Sequence, residues 1–444
     1  MSKENHRNET MRRYLSKTSS SQALHQQMVG LLPGGIGGSA PTYEPYPIAV
    51  KTAEGSRIWD IDDNMYLDFN LCWGVLMVGH RHPRIIDGLQ EQLENGTMYG
   101  LPHEEILDTA RELSSRFPPM EKLRFVNSGS EATLYAVRLA RRYTGKDKIV
   151  KIEGSYHGVM DSLHISKRPS KGEYGPRRRP TPIPYGRGIT EGTLKDTLIA
   201  PFNDIEVISE LLEENLGEIS AVIVEPTMMN AGVIPPQKKY LQELREVTEE
   251  HNVLLIFDEV KTGAKLAPGG ATEYFDVEPD LISLAKAIGG GMPIGACGGR
   301  AEIMDGIGDE GLFGTFSANP MSIRAARITL TEILTAQAYN HIKKLGIQLM
   351  KGYEDVIKDH RIDAVVQGIN AVGGILFTNE PVTDYRTWAK VDEERTMDYW
   401  LSMLNEGVIP MACGADEEWL VSVQHTEEDI EGHLEAFKRV AAEI

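Results

Sequence analysis

The feature that most restricts the fold is an alternation of short apolar runs and helical stretches between about residues 80 and 320. The apolar runs are LRFVN, KIVKIEG, AVIVEP, VLLIFDEV and DLISLAK. Amphipathic stretches such as PRIIDGLQEQLEN and EEILDTARELSSRF have helical spacing. Short, fully apolar strands separated by helices indicate an α/β fold with a mostly parallel central sheet covered by helices. Ligands of such sheets bind at the ends of the strands.

The flanking segments predict a smaller α+β domain built from both ends of the chain. Residues 1–25 are polar, which predicts a loosely docked lead-in. Residues 26–78 pass from a Gly/Pro-rich loop into the alternating stretch IAVKTAEGSRIWDIDDNMYLDFN, which is typical of a small antiparallel meander. We therefore expect a large domain at residues 79–325 and a C-terminal small domain at residues 326–444.

Composition excludes several classes of function. The 444 residues include 46 Lys and Arg against 65 Asp and Glu, so the formal net charge is −19. A surface of that sign repels nucleic acid and anionic membranes, and neither is an expected partner. No apolar run reaches the length of a membrane helix. Three widely spaced cysteines predict neither a disulfide framework nor a metal site. We expect a cytoplasmic globular enzyme without a metal.

The first candidate site follows the run LRF, where the sequence reads Asn127-Ser128-Gly129-Ser130-Glu131 before a helical stretch. The start of a helix offers free backbone N–H groups and the positive end of its dipole, so this segment can bind a phosphate. The same letters also fit an ordinary helix cap of the Ser/Glu type.

The second candidate is Asp258, which closes the apolar run VLLIF. A carboxylate at the exit of a buried strand requires a cation or a hydrogen-bond donor as its partner. A protonated pyridine nitrogen is one such partner. A capping or magnesium-binding aspartate is the alternative, although the chain contains no GxxxxGK[ST] phosphate loop.

The third candidate is Lys286, which lies within an apolar run directly before Gly289-Gly290-Gly291. A lysine in such surroundings can form a Schiff base with an aldehyde. The glycines would allow backbone to approach a planar ligand closely. A surface lysine before a flexible loop is the alternative.

Phosphate anchor, acidic strand end and lysine are together what pyridoxal phosphate (PLP) requires. The chain resembles the fold-type I, class III PLP-dependent aminotransferases, above all the subgroup of glutamate-1-semialdehyde aminomutase and the β-amino-acid aminotransferases. The matching segments are LLPGG, NSGSEA, EGSYHG, EPTMMNAG, FDEVKTG, LAKAIGGGMPIGACGGR, GTFSANP and VSVQHTEEDIE.

The resemblance implies a role for each matching residue. Lys286 would tether PLP and carry the proton, Asp258 would pair with the pyridine nitrogen, and Tyr156 would stack on the ring. The further cofactor contacts implied are Ser128, Gly129 and Ser130 around the phosphate, His157 beside Tyr156, Val260 on the second ring face, Asn230 and Glu225 near the ring hydroxyl, and Thr315 at the phosphate of a neighbouring subunit. The last contact implies a homodimer with shared active sites.

The chain departs from the family where a substrate carboxylate would bind. Members of the subgroup carry an arginine in the loop after LLPGG, but the sequence has no arginine between Arg13 and Arg57. The stretch from residue 396 to 437 also lacks Lys and Arg and holds ten acidic residues, including Glu417. These features predict a neutral or cationic substrate, unless an arginine from elsewhere takes the place of the missing one. The candidates for that replacement are Arg178, Arg300 and Arg386.

An aminotransferase that moves an amino group from an amine or amino acid to a keto or aldehyde acceptor is the first hypothesis. Glutamate-1-semialdehyde 2,1-aminomutase, which moves the group within one molecule, is the alternative, followed by a racemase. A non-catalytic PLP-binding module is disfavoured because both Lys286 and Asp258 are present.

Overall fold

A computed structural model describes residues 3–38 and 43–444. The helices are α1 (Lys3–Lys17), α2 (Ser19–Val29), α3 (Leu71–Gly74), α4 (Pro83–Asn95), α5 (Glu104–Arg116), α6 (Gly129–Thr144), α7 (Glu191–Lys195), α8 (Ile205–Glu214), α9 (Tyr240–Glu250), α10 (Gly270–Phe275), α11 (Ala301–Met304), α12 (Pro320–Ile328), α13 (Ala336–His360), α14 (Tyr385–Trp388), α15 (Glu393–Asn405) and α16 (Glu427–Ala441). The strands are β1 (Val50–Glu54), β2 (Arg57–Asp60), β3 (Met65–Asp68), β4 (Lys122–Val126), β5 (Lys148–Ile152), β6 (Thr197–Ala200), β7 (Ile219–Val224), β8 (Leu254–Asp258), β9 (Leu281–Ala285), β10 (Gly295–Gly299), β11 (Val365–Ile369), β12 (Val372–Leu376), β13 (Val408–Ile409) and β14 (Trp419–Leu420).

The central unit comprises residues 83–339 and 382–390. Its seven-stranded sheet has the order β4-β10-β9-β8-β7-β5-β6. Only β10 runs against its neighbours β4 and β9, while the pairs β9–β8, β8–β7, β7–β5 and β5–β6 are parallel. The mostly parallel sheet expected from the apolar runs is confirmed.

Burial explains why these runs form central strands. Every residue of β7, β8 and β9 is buried, which is the pattern of a sheet covered on both faces. Helix α6 packs its apolar face on this sheet, and Val137 and Leu139 join the same core as Ile223 and Ile256.

The second compact unit, called here the N/C unit, comprises residues 1–82, 340–381 and 391–444. Strands β1, β2 and β3 form the antiparallel meander that the alternating sequence predicts, and β13 adds to it in parallel. Strands β11, β12 and β14 form a separate antiparallel sheet. The two chain ends thus share one unit with its own small sheets.

The start of the chain differs from the loosely docked lead-in expected for residues 1–25. Helix α1 buries His6, Thr10 and Tyr14, which are spaced four residues apart on one face. The Tyr14 hydroxyl donates to the carbonyl of Tyr46 at 2.6 Å. Since the buried face is polar rather than aliphatic, hydropathy did not indicate that this helix would pack.

Residues 382–390 also belong to the central unit, although they lie within the C-terminal part of the chain, and no feature of the sequence indicated this.

Among the described residues, no helix combines the length and apolarity needed to cross a membrane. The same described residues contain no group of three or more His, Cys, Asp or Glu side chains that could hold a metal ion.

Candidate active site

Two of the candidate residues lie at the ends of neighbouring parallel strands. Asp258 is the last residue of β8, and Lys286 follows the last residue of β9. Asp258 pairs in register with Ser283, so both strands leave the sheet at the same edge. This is the edge at which open α/β sheets bind ligands.

Lys286 has a backbone conformation that non-glycine residues rarely adopt. Its φ is 52°, and it opens a 3-10 turn that ends at Gly289. Its side chain is half-buried. Left-handed backbone at a non-glycine residue costs of order 1–3 kcal/mol and collects at functional positions. The strain supports a functional role for this lysine rather than that of a flexible surface residue.

Asp258 is buried, with 4% of its surface exposed, and both of its oxygens are engaged. Oδ2 lies 2.7 Å from Nδ1 of His157, and Oδ1 accepts a hydrogen bond from the amide of Val260 at 3.0 Å. Each carboxylate oxygen has a second acceptor position. The pair therefore holds Asp258 in place and leaves it able to accept a further donor.

His157 is itself fully buried, and its Nε2 has no hydrogen-bond partner among the described residues. A buried polar atom without a partner is rare in folded proteins. Here it lies on the residue that positions Asp258, which supports a ligand-binding role for this part of the site.

The predicted phosphate anchor is at the start of α6, directly after β4. Ser128 caps the helix by accepting from the amide of Glu131 at 3.2 Å, so the capping interpretation is correct. The cap leaves the amides of Gly129 and Ser130 without an intrahelical acceptor. A Cβ on Gly129 would lie 2.8 Å from Cγ2 of Val260, which explains the glycine. The helix start thus keeps the donors that an anion requires.

The turn after β5 carries Tyr156 and His157 across the first turn of α6. The hydroxyl of Thr133 donates to the carbonyl of His157 at 2.6 Å. Gly158 has a φ of 93°, and a side chain there would overlap Ser130. The motif Ser-Tyr-His-Gly is therefore held against the helix start by both bonding and close packing.

Glu225 ties three segments of the site together. Its carboxylate accepts from the amides of Tyr156 at 2.8 Å and Met229 at 3.0 Å, and from Nδ2 of Asn230 at 2.8 Å. Burial raises the pKa of Glu225. Asn230 and Glu225 thus lie together with Tyr156, as the resemblance implies, and contact of Asn230 with a cofactor stays a prediction.

Thr315 has no recorded contact with these described site residues within the same subunit. It is exposed and lies between Phe313 and Phe316, which are 79% and 67% exposed. The segment is anchored on its own chain by a bond from Asn127 Nδ2 to Ser317 Oγ at 3.3 Å. Two exposed phenylalanines beside an exposed threonine are consistent with a surface that a second subunit covers.

Sequence reasoning missed Lys151, which lies within β5 and is fully buried. Its Nζ donates to the carbonyl of Ser155 at 2.7 Å and thereby fastens the turn that leads to Tyr156. Burial lowers the pKa of Lys151 to about 7. The available signal was a lysine in the otherwise apolar run KIVKI.

The three arginines considered as carboxylate ligands are all paired with acidic side chains. Arg386 binds both oxygens of the buried Glu153, at 2.7 and 3.0 Å. Arg300 pairs with Asp280 at 2.9 Å and with Glu302. Arg178 pairs with Glu210 at 2.6 Å. None of them is therefore held ready for a ligand. The loop residues Ser39, Ala40 and Pro41 lie outside the described residues.

The geometry fits PLP. Two helix-start amides would hold the phosphate, Asp258 would face a protonated ring nitrogen, and Lys286 leaves the adjacent strand end. The buried Nε2 of His157 adds bonding capacity that no other described residue uses.

Comparison with known proteins agrees with this geometry. The family model "Aminotransferase class-III" matches residues 39–440. A glutamate-1-semialdehyde 2,1-aminomutase of Archaeoglobus fulgidus is 40% identical over 423 residues, covering 95% of this chain and 99% of the relative.

Solved structures show the same fold. An ω-transaminase from Sphaerobacter thermophilus has a TM-score of 0.90 at 31% identity, covering 95% of this chain and 97% of its own. A glutamate-1-semialdehyde aminomutase from Pseudomonas aeruginosa has a TM-score of 0.91 at 26% identity, covering 99% of this chain and 98% of its own. A lysine-to-alanine variant of that enzyme has been solved in complex with pyridoxamine phosphate (PMP).

Proposed function

The chain belongs to the class-III aminotransferase family and its cofactor is PLP, and from this premise we propose that the strand-end site moves amino groups. The observation that carries the proposal is the placement of Asp258 and Lys286 at the ends of adjacent parallel strands. When bound, PLP supplies an electron sink for the carbon atom that loses a proton.

The residues of this chain would divide the remaining work. Lys286 would bind the cofactor covalently and, once released, carry the proton with its Nζ. Asp258, held by His157, would keep the ring nitrogen protonated. The amides of Gly129 and Ser130 would bind the phosphate. Tyr156 and Val260 would confine the ring.

The amino-acid sequence favours amino transfer between two substrates, whereas the relatives favour amino transfer within one molecule. The curated relative named above carries the name glutamate-1-semialdehyde 2,1-aminomutase and aligns over nearly its whole length. We therefore propose this aminomutase reaction, in which the amino group moves from C2 to C1 of one substrate, as the leading candidate.

Aminotransfer between two molecules is the second candidate, and the missing loop arginine supports it. The acidic stretch of residues 396–437 supports it less than the sequence implied. At least five of its ten acidic side chains form ion pairs within the N/C unit, among them Asp398, Glu406, Glu427, Asp429 and Glu435. Less acidic charge is thus left to attract a cationic substrate.

We further propose a homodimer in which Thr315 completes the partner's phosphate site. The exposed Phe313 and Phe316 on either side of Thr315 support a covered surface. A cytoplasmic location stays an expectation from the sequence.

A single-substrate assay distinguishes the two candidates. The PLP- or pyridoxamine-loaded enzyme is mixed with glutamate 1-semialdehyde alone, and 5-amino-4-oxopentanoate is measured. Product without a second substrate supports the aminomutase. Formation of alanine only when an amine donor is paired with pyruvate as the keto acceptor supports the aminotransferase. Failure of both, together with no change in the cofactor spectrum over a panel of amines, would exclude amino transfer.

A further inference from the structure

A lysine that the family resemblance did not single out lies beside the predicted cofactor-stacking tyrosine. Nζ of Lys167 is 4.8 Å from the ring centroid of Tyr156 and 5.2 Å from that of Tyr185. The ring of His164 lies 4.9 Å from Tyr185 and 6.3 Å from Tyr156. We call these four side chains the Lys167 cluster. All four belong to the central unit.

The ammonium group of Lys167 has no carboxylate partner among the described residues. The arginines that follow in the same connection are paired: Arg177 with Asp384 and Asp204, and Arg178 with Glu210. An unpaired, half-buried cation is notable in a chain whose net charge is −19. The two ring faces hold the ammonium by cation–π attraction without neutralising it.

The cluster is connected to the catalytic residues by the backbone of Tyr156. The amide of Tyr156 is fixed by Glu225, and the next residue, His157, binds Asp258. Nδ1 of His164 lies 3.3 Å from the carbonyl of Gly158, which anchors the cluster to the same turn. The ammonium of Lys167 thus lies against the ring that the proposed function places beside the cofactor.

We propose that Lys167 is a specificity-determining residue that binds a carboxylate of the substrate. The proposal rests on the proposed function, because it takes Tyr156 to lie at the reacting cofactor. Arg178, Arg300 and Arg386 are engaged by acidic side chains, whereas Lys167 has no acidic partner among the described residues and lies against the ring of Tyr156.

Binding of two matched, unreactive probes tests the proposal. Pentanoate carries a carboxylate, and pentanamide is its neutral counterpart of the same size. Calorimetric titration gives both dissociation constants for the PLP-loaded enzyme and for the apoenzyme. We expect pentanoate to bind more tightly than pentanamide, and Lys167→Met to weaken pentanoate about tenfold, the effect of losing one partly screened ion pair. Pentanamide should be unaffected.

Two further variants serve as controls. Lys167→Arg keeps the charge and should retain pentanoate binding. Lys171→Met removes an exposed lysine of the same connection and should change nothing. In steady state, Lys167→Met should raise KM for a carboxylate substrate far more than it lowers kcat, with an unchanged cofactor spectrum.

The outcomes separate this inference from the proposed function. Equal binding of the two probes to the wild-type enzyme, or unchanged pentanoate binding in Lys167→Met, overturns the role of Lys167 while the cofactor spectrum and turnover stand. A wild-type protein that shows no cofactor spectrum or no turnover would instead overturn the proposed function. The difference between the dissociation constants of pentanoate and pentanamide, measured on the apoenzyme, would still test the role of Lys167.

Discussion

The two compact units bury polar clusters of different composition. In the central unit the buried groups near the strand ends are of charged types, such as Asp258, Glu225 and Lys151, and backbone or histidine partners hold each of them. In the N/C unit the buried polar groups include a cluster of tyrosine and histidine, beside carboxylates such as that of Asp429, which pairs with Arg57 at 2.8 Å. The hydroxyl of Tyr353 lies 2.5 Å from that of Tyr399 and 2.6 Å from Nε2 of His433.

The pKa shifts of the buried groups also differ between the two units. Burial raises the pKa of Glu225 and lowers that of Lys151 to about 7, so Lys151 lies near the point at which it changes charge at neutral pH. Burial lowers the pKa of His433 to about 3 and that of His425 to about 4, so these rings are neutral at pH 7. Substitutions in the central unit should therefore affect chemistry, and those in the N/C unit stability.

The largest effect expected in the central unit is that of Lys286→Ala. Turnover should fall by several orders of magnitude, because the proposed covalent tether and proton carrier would be lost together. Non-covalent PLP binding and the melting temperature should change little. Full turnover in this variant would exclude Lys286 from the reaction.

Asp258→Asn should have the next largest effect. The amide can still accept from Val260, so the fold should persist, but it cannot keep the ring nitrogen protonated. We expect the reaction barrier to rise by on the order of several kcal/mol, measured as kcat/KM beside a melting curve. Near-normal kinetics would reduce Asp258 to a structural cap.

The N/C unit should instead show acid sensitivity. A histidine takes up its proton near pH 6.5 in the unfolded chain, but His433 and His425 do so only near pH 3 and pH 4 in the folded one. As the pH falls below about 6.5 the unfolded state binds protons first, so stability should drop by a few kcal/mol until the folded pKa values are reached.

Denaturant titrations between pH 7 and pH 4 measure this effect, followed by tryptophan fluorescence. Four of the five tryptophans, Trp59, Trp73, Trp400 and Trp419, belong to the N/C unit. His433→Gln should flatten the pH dependence, whereas His360→Gln, at an exposed site, should not. An equal slope in the wild-type protein and His433→Gln would contradict the buried neutral histidine.

The smallest effect expected is that of Thr315→Ala, which would remove the phosphate contact proposed for this residue in the partner's site. We expect PLP to dissociate about tenfold more readily from the assembled protein, with Thr331→Ala, another exposed threonine, as the control. An active monomer by light scattering would contradict the shared site.

The sequence predicted what depends on local pattern. The sequence runs that form β7, β8 and β9 are largely apolar, so their burial and their parallel pairing could be predicted. Asp258 and Lys286 could be found because polar residues at the ends of such strands are conspicuous.

The remaining features depend on contacts between distant segments. The bond from His157 to Asp258 joins residues 101 positions apart, and that from Arg386 to Glu153 joins residues 233 apart. The polar face of α1 carries no hydropathy signal, and the apolar run around Lys151 indicates its burial but not its bond to the carbonyl of Ser155. Periodicity cannot specify such pairs, because they depend on how the chain returns to the same place.

The central claim is that Lys286 forms the covalent bond to PLP. Borohydride reduction of the purified holoenzyme makes that bond permanent, and proteolysis followed by mass spectrometry identifies the labelled peptide. We predict the pyridoxyl label on Lys286, with none on the buried Lys151 or on Lys167. A label on another lysine, or a holoenzyme that releases all of its cofactor unreduced, would contradict the account.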